Sequence, residues 1–129
     1  MHETKIKTAL NTSDATKEGV GYEYTYDKLF LPALEQMYIT PQATGTDAEG
    51  DFWEYYKELN GTETKFAQYS TYPELIKYNL ANHSSAAYQR LRSASRGSSY
   101  TTWLVYTSGS VGFYNAIYAL ACAPACIIC

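Results

Sequence analysis

The last quarter of this chain contains no charged side chain. All 13 acidic residues lie between Glu3 and Glu74, the last basic residue is Arg96, and residues 97–129 contain no Asp, Glu, Lys or Arg. An uncharged stretch of this length is unusual for a solvated surface. Three interpretations follow: a buried core, a contact between subunits, or a binding face built without charges.

Basic residues and long apolar runs are also scarce. Ten Lys and Arg against 13 acids give a net charge of -3, which disfavours a phosphate-binding surface and therefore a nucleic-acid partner. No apolar run approaches the roughly 20 residues that cross a bilayer, and residues 1–11 lack the apolar segment of a signal peptide. The 129 residues are expected to form one soluble domain, either complete or the C-terminal part of a longer protein.

Cysteine occurs only at Cys122, Cys126 and Cys129. Three closely spaced thiols do not make a disulfide framework, and zinc would lack a fourth ligand because His2 and His83 are distant in sequence. The sequence leaves open whether these thiols are free or bridged. It contains no motif for a metal, a cofactor or a catalytic residue.

The first half of the chain is predicted to contain two short helices. Residues 27–38 (DKLFLPALEQMY) begin extended and then turn helical. Residues 51–60 (DFWEYYKELN) carry apolar side chains at helical spacing and end at Gly61. Residues 72–81 (YPELIKYNLA) form the second predicted helix, with Pro73 in its first turn.

The second half is predicted to contain strands. Residues 88–93 and 102–107 read as two strands, the turn Ser108-Gly109 leads into a third over residues 110–114, and residues 124–129 form a terminal strand. The expected core of this half contains Leu91, Trp103, Val105, Val111 and Ile127.

Period two along a strand predicts which side chains point outward. Leu104 and Tyr106 alternate with Trp103 and are expected to face solvent or a partner. Phe113 has the parity of a core residue, so it points outward only if a bulge or the strand end turns it.

Residues 90–129 also carry an ordered set of short motifs: RLRS at residues 90–93, SGSV at 108–111 and CAPACII at 122–128. Together they resemble the C-terminal region of variable proteins diversified by diversity-generating retroelements in gut bacteriophages and prophages. They also resemble a broader bacterial domain of unknown function. The upstream segments DKLFLPALEQMY and WEYYKELNGT fit the same resemblance, although the family often has Trp in place of Arg90 and Pro in place of Ala94.

The resemblance implies an α+β, C-type-lectin-like fold, with two short helices packed on an irregular antiparallel β core. It implies one domain, residues 1–129, with a variable ligand-binding region over about residues 90–129. The implied function is non-catalytic recognition of a protein or glycan ligand on a cell surface, by a protein on a phage virion or bacterial cell surface. A homo-oligomer is compatible with it.

The resemblance also implies which positions vary, because error-prone copying of template adenines turns AAY codons into NNY codons. NNY codons never encode Lys, Glu, Gln, Met or Trp, and between Ser98 and Ala121 the only excluded residue is Trp103, which is assigned to the core. The expected variable, ligand-binding positions are Ser98, Thr101, Leu104, Tyr106, Ser110, Gly112, Phe113, Tyr114, Ile117, Leu120 and Ala121.

Tyrosine, serine and glycine suit such a face, since Tyr supplies contact area with few rotamers and Ser and Gly adapt their hydrogen bonding. The expected exposed apolar-aromatic patch consists of Tyr100, Tyr106, Tyr114 and Tyr118, with Phe113, Leu104 and Ile117. Replacing Tyr106 and Tyr114 with Ala is therefore expected to abolish binding with less than about 1 kcal/mol loss of stability. Arg90, Arg92 and Arg96 are expected to be structural partners of the N-terminal carboxylates.

Three other functions remain open from the sequence. A formylglycine-generating-enzyme-like protein would need a reactive Cys122 or Cys126, but the neighbouring sequence has no charge or base to activate a thiol. A calcium-dependent lectin would need clustered carboxylates, which residues 97–129 lack. A structural, oligomeric virion module would bury the uncharged face between subunits.

Overall fold

The computed structural model describes residues 2–9, 22–40, 49–79, 81–95, 100–118, 120 and 123. These residues form mostly antiparallel β structure with one short α-helix, an α+β arrangement. None of the helices in these ranges is long and apolar enough to cross a membrane. The predicted terminal strand at residues 124–129 lies outside the described residues, as do Arg96 and all three cysteines.

The N-terminal part forms a β-hairpin that the sequence analysis did not predict. Strands β1 (Thr4–Ala9) and β2 (Tyr22–Asp27) pair antiparallel. One face of the hairpin carries tyrosines crossed by lysines, with Lys7 Nζ 3.7 Å from the ring centre of Tyr22. The opposite face buries Ile6, which belongs to the core.

The helix predicted at residues 51–60 is confirmed as α1 (Glu54–Asn60), and Gly61 ends it in the left-handed region at φ 74°. The segment 27–38 is extended before it turns, as predicted, but its helical part is a single 3-10 turn (Glu35–Met37). Its helix is stopped at once by Tyr38, whose φ is 59°.

The second predicted helix, over residues 72–81, is wrong. Only the 3-10 turn Pro73–Leu75 forms, with Pro73 in its first turn. The chain then runs as β3 (Lys77–Tyr78), which pairs with β4 (Ala86–Ala87). One turn suffices to bury Leu75, and the β-branched and aromatic residues that follow favour an extended backbone. The described residues therefore contain one α-helix where two were expected.

The three predicted strands of the second half are confirmed as one antiparallel sheet in the order β5-β6-β7. The strands are β5 (Gln89–Ala94), β6 (Thr101–Val105) and β7 (Val111–Asn115). A register shift between Arg90 and Ala94 interrupts the pairing of β5 with β6. One face of this sheet packs on α1 and the two 3-10 turns to form the core, which includes Met37, Tyr56, Phe66, Leu91 and Trp103.

Arg92 joins the N-terminal hairpin to this sheet. Its half-buried guanidinium donates hydrogen bonds to the carbonyl oxygens of Lys7, Leu31 and Glu49 and to Gln36 Oε1. The charges of Glu49 and Glu35 also act on it. Arg92 is thus a structural partner of the N-terminal segment, as predicted, although these hydrogen bonds go to carbonyl and amide oxygens and the carboxylates of Glu35 and Glu49 act on it through their charge.

Candidate functional site

The β6–β7 hairpin is held at its turn by packing against the segment before β3. Tyr106 N–H donates to Ser110 O, and Gly109 N–H donates to Tyr106 O. Gly109 has φ 86°, and a Cβ there would lie 2.2 Å from the carbonyl oxygen of Tyr72. Glycine is therefore required both by the backbone conformation and by the close approach of the neighbouring chain. The turn end of the hairpin is consequently fixed.

The second face of the hairpin is covered, which corrects the prediction that Leu104 points to solvent. Leu104 is fully buried. Arg90 lies opposite it in β5, and the Arg90 side chain extends across this face from β5 to the backbone of β7. A strand with both faces covered does not alternate between buried and exposed side chains. Leu104 is therefore a packing residue and not a display position.

Gly112 and Thr101 are also buried, although variable ligand-binding residues were expected to be exposed. A Cβ on Gly112 would lie 2.6 Å from Cε2 of Tyr106, so the absent side chain makes room for that ring. Thr101 is 6% exposed and lies on the face of β6 that also carries Trp103.

Tyr106 is half-buried and has a structural part to play. Its ring lies over Gly112, its hydroxyl donates to Phe113 O at 2.7 Å, and its ring meets that of Tyr88 edge to face. Burial, followed by the neighbouring Tyr114 and Tyr88, raises the pKa of the Tyr106 hydroxyl. Tyr106 thus stabilises the β6–β7 hairpin through its contacts with Gly112, Phe113 and Tyr88.

These positions separate the effects of the two tyrosine substitutions. Tyr106→Ala is expected to lower the free energy of unfolding by about 1–3 kcal/mol, since it removes a packed ring and a hydrogen bond. Tyr114→Ala should lower it by less than about 1 kcal/mol, because the ring of Tyr114 is 45% exposed. Urea unfolding of both variants measures the difference. Equal losses would contradict the assignment of Tyr106 as the structural residue.

An open cleft lies at the other end of the hairpin, where β6 begins and β7 ends. Its volume is about 300 Å³, and it is lined by Tyr100, Thr101, Phe113, Tyr114, Asn115 and Tyr118. The rings of Tyr114 and Tyr118 lie 5.1 Å apart. All four aromatic side chains that line the cleft are exposed. No charged side chain lines it among the described residues.

Arg90 fixes the backbone beneath this cleft. Its Nη1 donates to Thr102 Oγ1 at 2.7 Å and to Tyr114 O, and its Nη2 donates to Asn115 O and Tyr118 O. Four of its five N–H donors are thereby used. The prediction that Arg90 pairs with N-terminal carboxylates is therefore wrong: its guanidinium donates to β6, to β7 and to the turn that follows β7.

Phe113 lies at the border between the core and the cleft, which resolves its ambiguous parity. It pairs with Trp103 across the strands, and its ring contacts Trp103 and Tyr69 edge to face at 5.7 and 6.2 Å. Since β7 ends two residues later, the ring remains 38% exposed. Phe113 thus has the core parity of its strand and still contributes to the surface.

The whole chain, residues 1–129, matches one protein family, described as a domain of unknown function (DUF6273). The chain belongs to the DUF6273 family. No curated protein and no solved structure matches it.

The remaining positions predicted for the binding face of this DUF6273 domain differ in exposure. Ile117 is 83% exposed, whereas Ser110 in the turn and Leu120 are half-buried. Ser98 and Ala121 lie outside the described residues. Of the predicted positions, Thr101, Phe113 and Tyr114 line the cleft, whereas Leu104, Ser110 and the exposed Ile117 are not among its lining residues.

Three residues near the cleft of the DUF6273 domain were not among the predicted site positions. Tyr100, Tyr118 and Asn115 line the cleft although none of them was assigned to the variable set. The clustering of tyrosines in the uncharged segment gave a signal for the first two, but Asn115 had none. Tyr69 was also missed: it is exposed, has φ 62° and contacts the ring of Phe113.

The described part of the DUF6273 domain contains no group of three or more His, Cys, Asp and Glu side chains placed to hold a metal ion. The thiols considered for a formylglycine-generating-enzyme-like activity, Cys122 and Cys126, lie outside the described residues.

Proposed function

We propose that this DUF6273 domain is a non-catalytic ligand-binding module with a C-type-lectin-like fold, which recognises a ligand on a cell surface through the aromatic cleft of its β6–β7 hairpin. In this proposal the domain acts on a phage virion or a bacterial cell surface, and its cleft is diversified by a retroelement. The short helix packed against an antiparallel sheet, with the binding hairpin at the C-terminal side, is compatible with such a fold.

One observation carries the proposal: exposed aromatic side chains cluster on a hairpin whose backbone is fixed by contacts with the rest of the domain. Tyr100, Phe113, Tyr114 and Tyr118 surround the cleft, and exposed apolar patches of this kind usually mark interaction sites. The hairpin is fixed by Arg90 at the cleft end and by Gly109 at the turn end. Side chains on such a platform can change without loss of the fold, as in antibody paratopes.

Diversification predicts a pattern in DNA that can be read directly. A near-repeat of the gene segment, beside a reverse transcriptase gene, should differ from it at template adenines. The substituted codons should include those of Phe113, Tyr114 and Ile117, whose side chains are exposed, and should omit those of Trp103 and Leu104, which are buried. Sequencing the locus and its variants in a natural population provides the measurement.

Two results would contradict the proposal. Variation spread evenly over buried and exposed codons would exclude selection for display. An invariant cleft with no repeat would favour the structural module, in which the uncharged face is buried between subunits and the domain is oligomeric in solution.

A further inference from the structure

We propose that the cleft binds a neutral sugar, without calcium, and that the hydroxyl of Thr101 is one of its ligand contacts. This inference rests on the proposed binding function and specifies the class of ligand. It follows from an unpaired hydroxyl, the set of aromatic rings and the absence of charge among the described lining residues.

Thr101 supplies the observation that points to a ligand. Thr101 lines the cleft and is 6% exposed, yet within the described structure its Oγ1 has no hydrogen-bond partner. A buried hydroxyl without a partner lowers stability. A ligand hydroxyl that reached Oγ1 would give this atom the partner that it lacks within the described structure.

The rings that line the cleft suit a sugar. The Tyr114 and Tyr118 rings, 5.1 Å apart, are both exposed. The face of an aromatic ring is negative and attracts the weakly positive C–H groups on one side of a pyranose. The amide of Asn115, which also lines the cleft, can donate and accept hydrogen bonds with hydroxyl groups. The cleft volume of about 300 Å³ is at the lower end for small-ligand sites.

Charge argues for a neutral ligand. The six lining residues are uncharged, and Arg90, which touches three of them through their carbonyl oxygens, has four of its five N–H donors occupied. An acidic sugar would find no cation prepared to pair with it. A calcium ion needs several oxygen ligands, usually carboxylates, and the lining residues provide none. Binding should therefore resist chelation.

The test is an array of neutral and acidic oligosaccharides probed with a multivalent form of the whole domain in the presence of EDTA, since multivalency raises the avidity of weak sites. The wild type is expected to bind neutral glycans. Thr101→Val, which keeps the shape and removes the hydroxyl, should weaken binding about tenfold and raise the melting temperature by a few degrees. Tyr114→Ala should abolish binding. Tyr78→Ala, at an exposed tyrosine of β3, is the matched control and should bind as the wild type does.

The inference is overturned if no neutral glycan binds, if only acidic glycans bind, or if Thr101→Val binds as the wild type does. A lower melting temperature for Thr101→Val would also overturn it, since the hydroxyl would then be paired within the fold. The DNA test separates this failure from that of the proposed function. If no neutral glycan binds but the cleft codons are diversified, only the sugar proposal is rejected. If the cleft codons are also invariant, the proposed function is rejected as well.

Discussion

Replacing Arg92 with Met should lower the free energy of unfolding by about 3–5 kcal/mol, since its half-buried guanidinium donates to four acceptors and a hydrogen bond from a charged group contributes about 1.5–3 kcal/mol. The guanidinium connects β5 to three other segments through the carbonyls of Lys7, Leu31 and Glu49. Met fills a similar length but cannot donate. These three carbonyl groups would lose a donor, and the carboxyl groups of Glu35 and Glu49 would lose a nearby positive charge.

The same variant should loosen the N-terminal hairpin before it affects the cleft. Arg92 contacts β1 through Lys7 O, so amide hydrogen exchange in Thr4–Ala9 should accelerate more than in Val111–Asn115. Lys5→Met, at an exposed lysine of the same strand, serves as the control and should change stability by less than about 0.5 kcal/mol. A loss of similar size in both variants would show that Arg92 does not join these segments.

The sequence predicted those elements whose signals are local. Helix α1 ends at Gly61 because only glycine takes a left-handed conformation there without strain. The β6–β7 turn needs Gly109 for the same reason and for the closeness of Tyr72. In both cases the decisive chemistry lies within a few residues of the element, where a sequence pattern can show it.

Predictions failed where a distant segment determines the result. The parity that put Leu104 outside is correct for the strand, but Arg90 from a neighbouring strand extends across that face, and no pattern within β6 shows this. The spacing of residues 72–81 allows a helix, yet Lys77–Tyr78 pair with Ala86–Ala87. The hairpin of β1 and β2 was missed although YEYTYD alternates with period two, because its partner strand lies beyond a long intervening segment.

The candidate site shows the same division. The concentration of tyrosines without charge indicated a face in the C-terminal segment, and Phe113 and Tyr114 do line the cleft. Which tyrosine is exposed and which is structural depends on the absent Cβ of Gly112, since a Cβ there would lie 2.6 Å from Cε2 of the Tyr106 ring. The packing of a large residue over a small one on the neighbouring strand depends on the register of the two strands, which the sequence does not show.

Glu35→Gln is expected to stabilise the protein by up to about 3 kcal/mol at pH 8 and to leave its stability nearly unchanged at pH 4. Burial raises the pKa of Glu35 from its ordinary 4.5 to about 7, the negative charge of Glu49 raises it further, and Arg92 opposes the shift. Its Oε2 is buried and has no hydrogen-bond partner within the described structure. Above pH 7 the folded protein therefore holds a poorly compensated charge.

The sign of the pH dependence follows from proton binding. Between pH 4.5 and 7 the folded state keeps the proton on Glu35 while the unfolded state releases it, so stability falls as the pH rises. The stabilising contribution is complete below pH 4.5 and is lost once the pH passes about 7. Thermal unfolding of the wild type and Glu35→Gln from pH 4 to 8 gives a curve of stability against pH for each protein. In the difference between the two curves the titration of the other groups cancels. Parallel curves would mean that Glu35 ionises normally, so that Arg92 and the backbone already compensate its charge.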